Sequence, residues 1–244
     1  MLTAGAATWF HLKWTAPVSS SSRQTLPQKL KGANSISFPT IVEQGKLLKD
    51  FIPAEWHLRD SATADLNGDK LNDWALVIES NKEFVSDSNG KYNGPPFYPK
   101  MLLVLFKEEG ESYKLSTTAT GLFRDYNWGV QGMDPLDTLV AQKGVFHLSF
   151  LTGGFTRDHL AYIIKYQDKD WFLAGINRYQ YYLHDRGMTR AIATYNFMTG
   201  IKRHYYYSYE SHKRSEFERV SIPKAKIKLA DMGDFYDLPI DIDE

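Results

Sequence analysis

The sequence predicts a mainly β fold, an antiparallel meander with one N-terminal helix, and three observations carry that prediction. Ten short runs rich in apolar, β-branched and aromatic residues follow one another between positions 58 and 209. The connectors between several of them are of hairpin length. Only one stretch, between positions 40 and 52, has apolar residues at helical spacing. Sequential strands joined by such short links run antiparallel, because a parallel crossover needs a dozen residues or more. Ten strands suffice for a barrel, a sandwich or an open wrapped sheet, and the sequence leaves these three open.

Charge and composition narrow the functional classes. The chain has 244 residues, with 29 Lys and Arg against 29 Asp and Glu, and no cysteine. A domain of this size buries about 70–75% of its unfolded surface without staples. Zero net charge removes the long-range field of a non-specific nucleic-acid or anionic-membrane binder, so no nucleic-acid partner is expected. The lack of cysteine excludes disulfide frameworks, thiolate zinc sites, iron–sulfur clusters and thiol nucleophiles. No run of about 20 apolar residues is present, so no transmembrane helix is expected.

Taken in order, the chain opens on a short apolar run at 2–10 followed by the serines Ser19 to Ser22. This reads either as a secretory signal with its exit linker or as a disordered leader over 1–22. Thr40 and Glu43 then have the spacing of a capping box. Ile41, Leu48 and Ile52, with Leu47 and Phe51 alongside, predict a helix of about three turns over 41–51, which Pro53 ends. Strands are expected at 58–63, 74–79, 101–106, 113–118, 138–141, 145–151, 160–166, 171–177, 192–197 and 203–209. The polar, Pro- and Gly-rich insert 84–100 reads as a loop between two strands. A single β domain over 23–216 is expected, followed by an acidic tail over 217–244 in which Asp231, Asp234, Asp237, Asp241, Asp243 and Glu244 have no basic residue beside them.

The most specific segment is Asp65-Leu66-Asn67-Gly68-Asp69-Lys70-Leu71-Asn72-Asp73. Asp65, Asn67, Asp69 and Asp73 put side-chain oxygens at positions one, three, five and nine, and Leu71 at position seven offers a backbone carbonyl. That is the pattern by which a tight loop surrounds calcium. Position twelve is Leu76, within the strand-like run Trp74 to Ile78, so the context is strand, loop, strand and not an EF-hand. The alternative use of the same residues is hydrogen-bonded capping of the turn's own backbone.

Residues 61–79 (SATADLNGDKLNDWALVIE) resemble one repeat of the FG-GAP and VCBS families, the integrin-like Asp-rich turns. More widely, residues 50–207 resemble bacterial extracytoplasmic proteins that carry one such turn at the start of a β domain. The resemblance implies calcium as cofactor and a periplasmic or secreted location. The chain departs from the families at position six of the loop, where Lys70 replaces the usual glycine and puts a cation near the implied ion.

Signals for catalysis are few. The seven histidines (His11, His57, His147, His159, His184, His204, His212) show no metal-ligand spacing, and no GxSxG, P-loop or GxGxxG motif occurs. Arg157, Asp158 and His159 beside Gly153-Gly154 are the best acid–base candidates, with a solvated turn as the plainer reading. Tyrosines 179, 181, 182, 205, 206, 207 and 209, and Trp128 in a long loop, suit either packing or an exposed aromatic recognition surface. The expected function is therefore a non-enzymatic extracytoplasmic β domain with a calcium-binding turn and a protein or glycan partner. The alternative is a secreted hydrolase or a periplasmic inhibitor of the immunity type, with a loop-built site.

Overall fold

Two antiparallel sheets lie face to face around a shared core, which selects the sandwich among the three architectures. The computed structural model describes residues 37–84, 87–88, 92–93, 97–123, 133–142, 144–154, 156–182, 189–208 and 213–233. The strands are β1 (Gln44–Gly45), β2 (Trp56–Ala64), β3 (Asp73–Ser80), β4 (Asp87–Ser88), β5 (Tyr92–Asn93), β6 (Lys100–Lys107), β7 (Tyr113–Ala119) and β8 (Leu136–Gln142). They continue with β9 (Val145–Gly153), β10 (Thr156–Gln167), β11 (Asp170–Tyr182), β12 (Thr189–Asn196), β13 (Ile201–Ser208), β14 (Lys213–Ser221) and β15 (Ile227–Lys228). The smaller sheet has the order β1-β7-β6-β3-β2, and the larger runs β14-β13-β12-β11-β10-β9-β8 with β15 added against β11. All ten expected runs fall on strands, except that Phe197 lies just past β12 and Tyr209 is outside the described residues.

Alternation explains the layers. In β3, Ala75 and Val77 turn toward the larger sheet, while Leu76 and Ile78 face the opposite way. All four are fully buried, so β3 is covered on both faces and reads as a continuous apolar run. The central core joins Leu102 and Val104 of the smaller sheet to Phe146, Leu148, Tyr162, Leu173 and Phe197 of the larger. Trp171 spans the seam: its indole N–H donates to Ser116 Oγ of β7 at 2.9 Å, and its ring meets Phe106, Phe146 and Tyr166. Burying that aromatic group with its one donor satisfied suits Trp to a sandwich core. At one side the sheets meet along β2 and β8, where Asp60 Oδ2 accepts the Leu139 N–H at 2.8 Å.

The helix expected over 41–51 does not form. The segment pairs Gln44 with Lys114 as β1 and then makes a single 3-10 turn, Leu48–Phe51. Tertiary pairing overrides the helical spacing here. The Glu43 carbonyl accepts the Leu115 N–H at 2.8 Å, and Asp50, not Glu43, caps the turn by accepting the N–H groups of Lys46 and Leu47, each at 2.9 Å. A Cβ at Gly45 would lie 2.9 Å from Asp50 Cβ, so the tight approach of strand to turn needs glycine. Ile41, Leu48 and Phe51 still cover the outer face of the smaller sheet, as their apolar character requires, whereas Leu47 is exposed.

The acidic tail expected from 217 begins instead inside β14. The chain then returns to the core through the buried residues Ile227, Leu229 and Met232. Within the insert 84–100, Phe84 and Phe97 exchange both backbone hydrogen bonds, at 2.8 and 3.1 Å, and their rings meet edge-on. The leader 1–22, Trp128, His11, His184, His212, Tyr209 and residues 234–244 lie outside the described residues. Among the described residues no helix is long and apolar enough to cross a membrane.

Candidate functional site

The Asp-rich loop links β2 to β3 as a closed turn. Asp65 Oδ1 accepts the Gly68 N–H at 2.7 Å and Oδ2 accepts that of Lys70 at 3.0 Å. Asn67 Oδ1 takes the Asp69 N–H at 2.9 Å, and the Asn67 amide donates to Asp69 Oδ2 at 2.9 Å. Asp69 Oδ1 takes the Leu71 N–H at 2.7 Å. Asp73 is fully buried: its Oδ2 accepts from Leu66 and Asn67 at 2.9 and 3.2 Å, and its Oδ1 accepts the Lys107 N–H of β6 at 2.9 Å. Burial pushes the Asp73 carboxyl above its usual range, against the pull of these three backbone donors. Lys70 adopts φ 74°, the left-handed region in which glycine is usual, as Gly68 does at φ 90°.

Calcium, which the family resemblance implies, needs six to eight oxygens presenting free lone pairs to one point at 2.3–2.6 Å. In this turn every side-chain oxygen of Asp65, Asn67, Asp69 and Asp73 already accepts a hydrogen bond. Among the described residues no three His, Asp or Glu side chains are grouped as a metal would require. Each of these oxygens keeps a second lone pair, but the side chains are turned onto the loop's own backbone and not gathered round one point, so the residues as arranged do not fit the ion and the capping use of the motif is the geometry present. Asn67, Asp69 and Leu71 also form one wall of an open cleft of about 410 Å³, shared with Phe106, Lys107, Glu108, Glu109 and Lys114.

Asp158 and His159 do not form an acid–base pair. As neighbours on β10 they point to opposite faces of the sheet. Asp158 is buried toward the inner side, held by the Arg178 guanidinium through Nε and Nη2 at 3.0 and 2.8 Å to Oδ2. His159 faces outward, with Nε2 3.1 Å from Asp137 Oδ2 and its ring against Tyr179. Arg157 donates to the Gly153 carbonyl at 3.2 Å, a local turn contact. His147 lies on the outer face with no charged partner among the described residues, and burial lowers its pKa, as it also lowers that of His204 beside Lys202.

The outer face of the larger sheet gathers the polar and aromatic groups. Ser149, Ala161, Asn177, Thr194, Arg203 and Arg219 occupy one register line across β9 to β14. Beside it run Leu151, His159, Tyr179, Ile192, Tyr205 and Glu216. Asn177, Thr194, Tyr179, Arg203 and Tyr205 are half-buried. Arg203 and Arg219 oppose each other directly, an arrangement of like charges that costs stability in a sheet. Among the described residues the Arg203 Nε is buried without a hydrogen-bond acceptor, and Glu216 Oε2 lies 3.8 Å away. Tyr181, Tyr182, Tyr206 and Tyr207 lie on β11 and β13 by their backbones.

One charged constellation has no local signal in the sequence. Lys100, only 7% exposed, bridges Glu79 Oε2 at 2.9 Å and Asp134 Oδ2 at 3.1 Å. Arg59 lies 3.7 Å from Asp134, and His57 lies 3.5 Å from Glu79 while meeting Asn81 Oδ1 at 2.8 Å. These residues come from four separate parts of the chain: the pairing of β2, β3 and β6 joins three of them, and the segment before β8 brings Asp134 to them. No protein-family model, curated protein or solved structure matches the chain.

Proposed function

We propose that the protein is a non-enzymatic, extracytoplasmic β-sandwich domain that binds a glycan or protein partner on the outer face of its larger sheet. The observation that carries this reading is the pair of register lines led by Asn177–Thr194–Arg203 and Tyr179–Ile192–Tyr205. They place aromatic faces beside hydrogen-bonding and cationic groups on the side turned away from the smaller sheet. Such a combination is how sheet surfaces recognise polar chains: ring faces supply contact area at low entropic cost, and Asn, Thr and Arg supply direction. The unsatisfied Arg203 Nε and the opposed Arg219 favour a partner that carries acidic groups, which would relieve both. The extracytoplasmic location rests on the resemblance of residues 61–79 to the Asp-rich repeats of exported proteins.

The test is a binding screen on an oligosaccharide array with the wild-type protein and an Asn177→Ala/Tyr179→Ala/Arg203→Ala variant. Binding by the wild type, lost in a variant whose melting temperature is unchanged, is the expected result. Equal binding by the two proteins would move the site off this face.

A further inference from the structure

We infer that the Asp-rich turn is a self-sufficient clasp that closes without a cation, the backbone of the loop itself supplying the positive charge a metal would bring. Six consecutive backbone N–H groups, from Leu66 to Leu71, each donate to a side-chain oxygen of the same loop. A concave run of peptide N–H dipoles of this kind stabilises anions. Here the anions are the loop's own carboxylates, so the compensation is covalently attached and needs no dissolved cation.

The seventh backbone donor shows what the clasp holds. The Lys107 N–H at the end of β6 reaches Asp73 Oδ1 at 2.9 Å, and the Thr63 hydroxyl of β2 donates to the Asp73 carbonyl at 2.8 Å. Asp73 thus ties β2, β3 and β6 at one point. Because Asp73 is fully buried and already accepts three N–H groups, an ion would have to reach a carboxylate that solvent does not reach. Lys70 fits the same conclusion. Its left-handed φ of 74° lets its N–H reach Asp65 Oδ2, the bond that closes the loop. The turn's side-chain oxygens are therefore directed at its own backbone N–H groups and are not gathered round one point.

Thermal melts of the full chain in calcium chloride and in EDTA decide the matter. A calcium ion at tenfold excess over its Kd would raise the melting temperature of a domain this size by about 3–5 °C. The expected result is the same melting temperature in about 5 mM calcium as in EDTA, a free-ion level at the weak end of protein calcium sites. An Asp65→Ala variant, which removes the acceptors for Gly68 and Lys70, should melt lower than the wild type by the same amount in both buffers. A calcium-induced rise in the wild type, or an Asp65→Ala variant that melts higher in EDTA because carboxylate repulsion is relieved, would overturn the inference. The wild-type comparison decides by itself if the variant fails to fold. Array binding that persists in EDTA is required by neither outcome, so the turn and the binding face fail or stand separately.

Discussion

The Asp-rich turn and the Lys100 network each hold acidic groups against the smaller sheet and neutralise them by opposite means. In the turn, Asp73 is satisfied by three backbone N–H groups, two of them within seven residues of it. In the network, Glu79 and Asp134 are satisfied by the Lys100 ammonium and approached by Arg59, from strands and a loop far apart in sequence. The difference matters energetically. Backbone donors stay in place when a side chain is cut away, and each unmet N–H costs its own desolvation. A side-chain cation that is removed leaves its carboxylates as uncompensated charge, which costs more.

The largest expected effect therefore lies in the network. Lys100→Met should lower stability in urea unfolding by about 3–5 kcal/mol, because Glu79 and Asp134 lose their shared cation. Replacing all three by apolar residues, as Lys100→Met/Glu79→Leu/Asp134→Leu, should recover most of that loss, since a buried ion pair is worth little against good packing. If the triple variant is no more stable than the single, the network is doing something other than mutual neutralisation.

Asp73→Ala comes next, at about 2–4 kcal/mol, from stranding the donors of Leu66, Asn67 and Lys107. Combined with Lys100→Met, its cost should add within about 0.5 kcal/mol, because the two groups sit at opposite ends of β3 and share no partner. Marked non-additivity would break the comparison by showing one coupled unit. On the outer face, Arg203→Ala should raise stability by up to about 1 kcal/mol, because it removes a buried donor without an acceptor and the charge opposed to Arg219, in keeping with a residue kept for recognition and not for the fold.

His147 sharpens the contrast from the other side, as a half-buried group with no charged partner among the described residues. Burial alone lowers its pKa, so the folded state binds its proton less tightly than the unfolded chain. Its contribution to stability is fully present above the ordinary histidine value of about 6.5 and is lost as pH falls through the lowered value. His147→Gln should flatten the stability profile across that window, with His204 contributing a slope of the same sign. An unchanged profile would mean that His147 is solvated.

What could be read from the sequence was whatever depends on near neighbours. Strand runs 74–79 and 101–106 were legible because two-sided burial writes an unbroken apolar stretch, and the β2–β3 turn was legible because its partners lie within nine residues of one another. Even there, spacing alone left calcium binding and self-capping open, since both use the same oxygens. Choosing between them takes the directions of individual N–H groups and the burial of Asp73, which the fold sets through Lys107, 34 residues away. The segment 41–51 shows the same limit from the other side: its helical spacing was real, but the free edge of β7 offered backbone partners, and pairing there replaced the helix by an extended strand and one 3-10 turn. The Lys100 network, the separation of Asp158 from His159 onto opposite faces, and the alignment of Asn177, Thr194 and Arg203 were decided by tertiary structure alone. Each depends on strand register, and a shift of one residue would turn every one of these side chains to the other face.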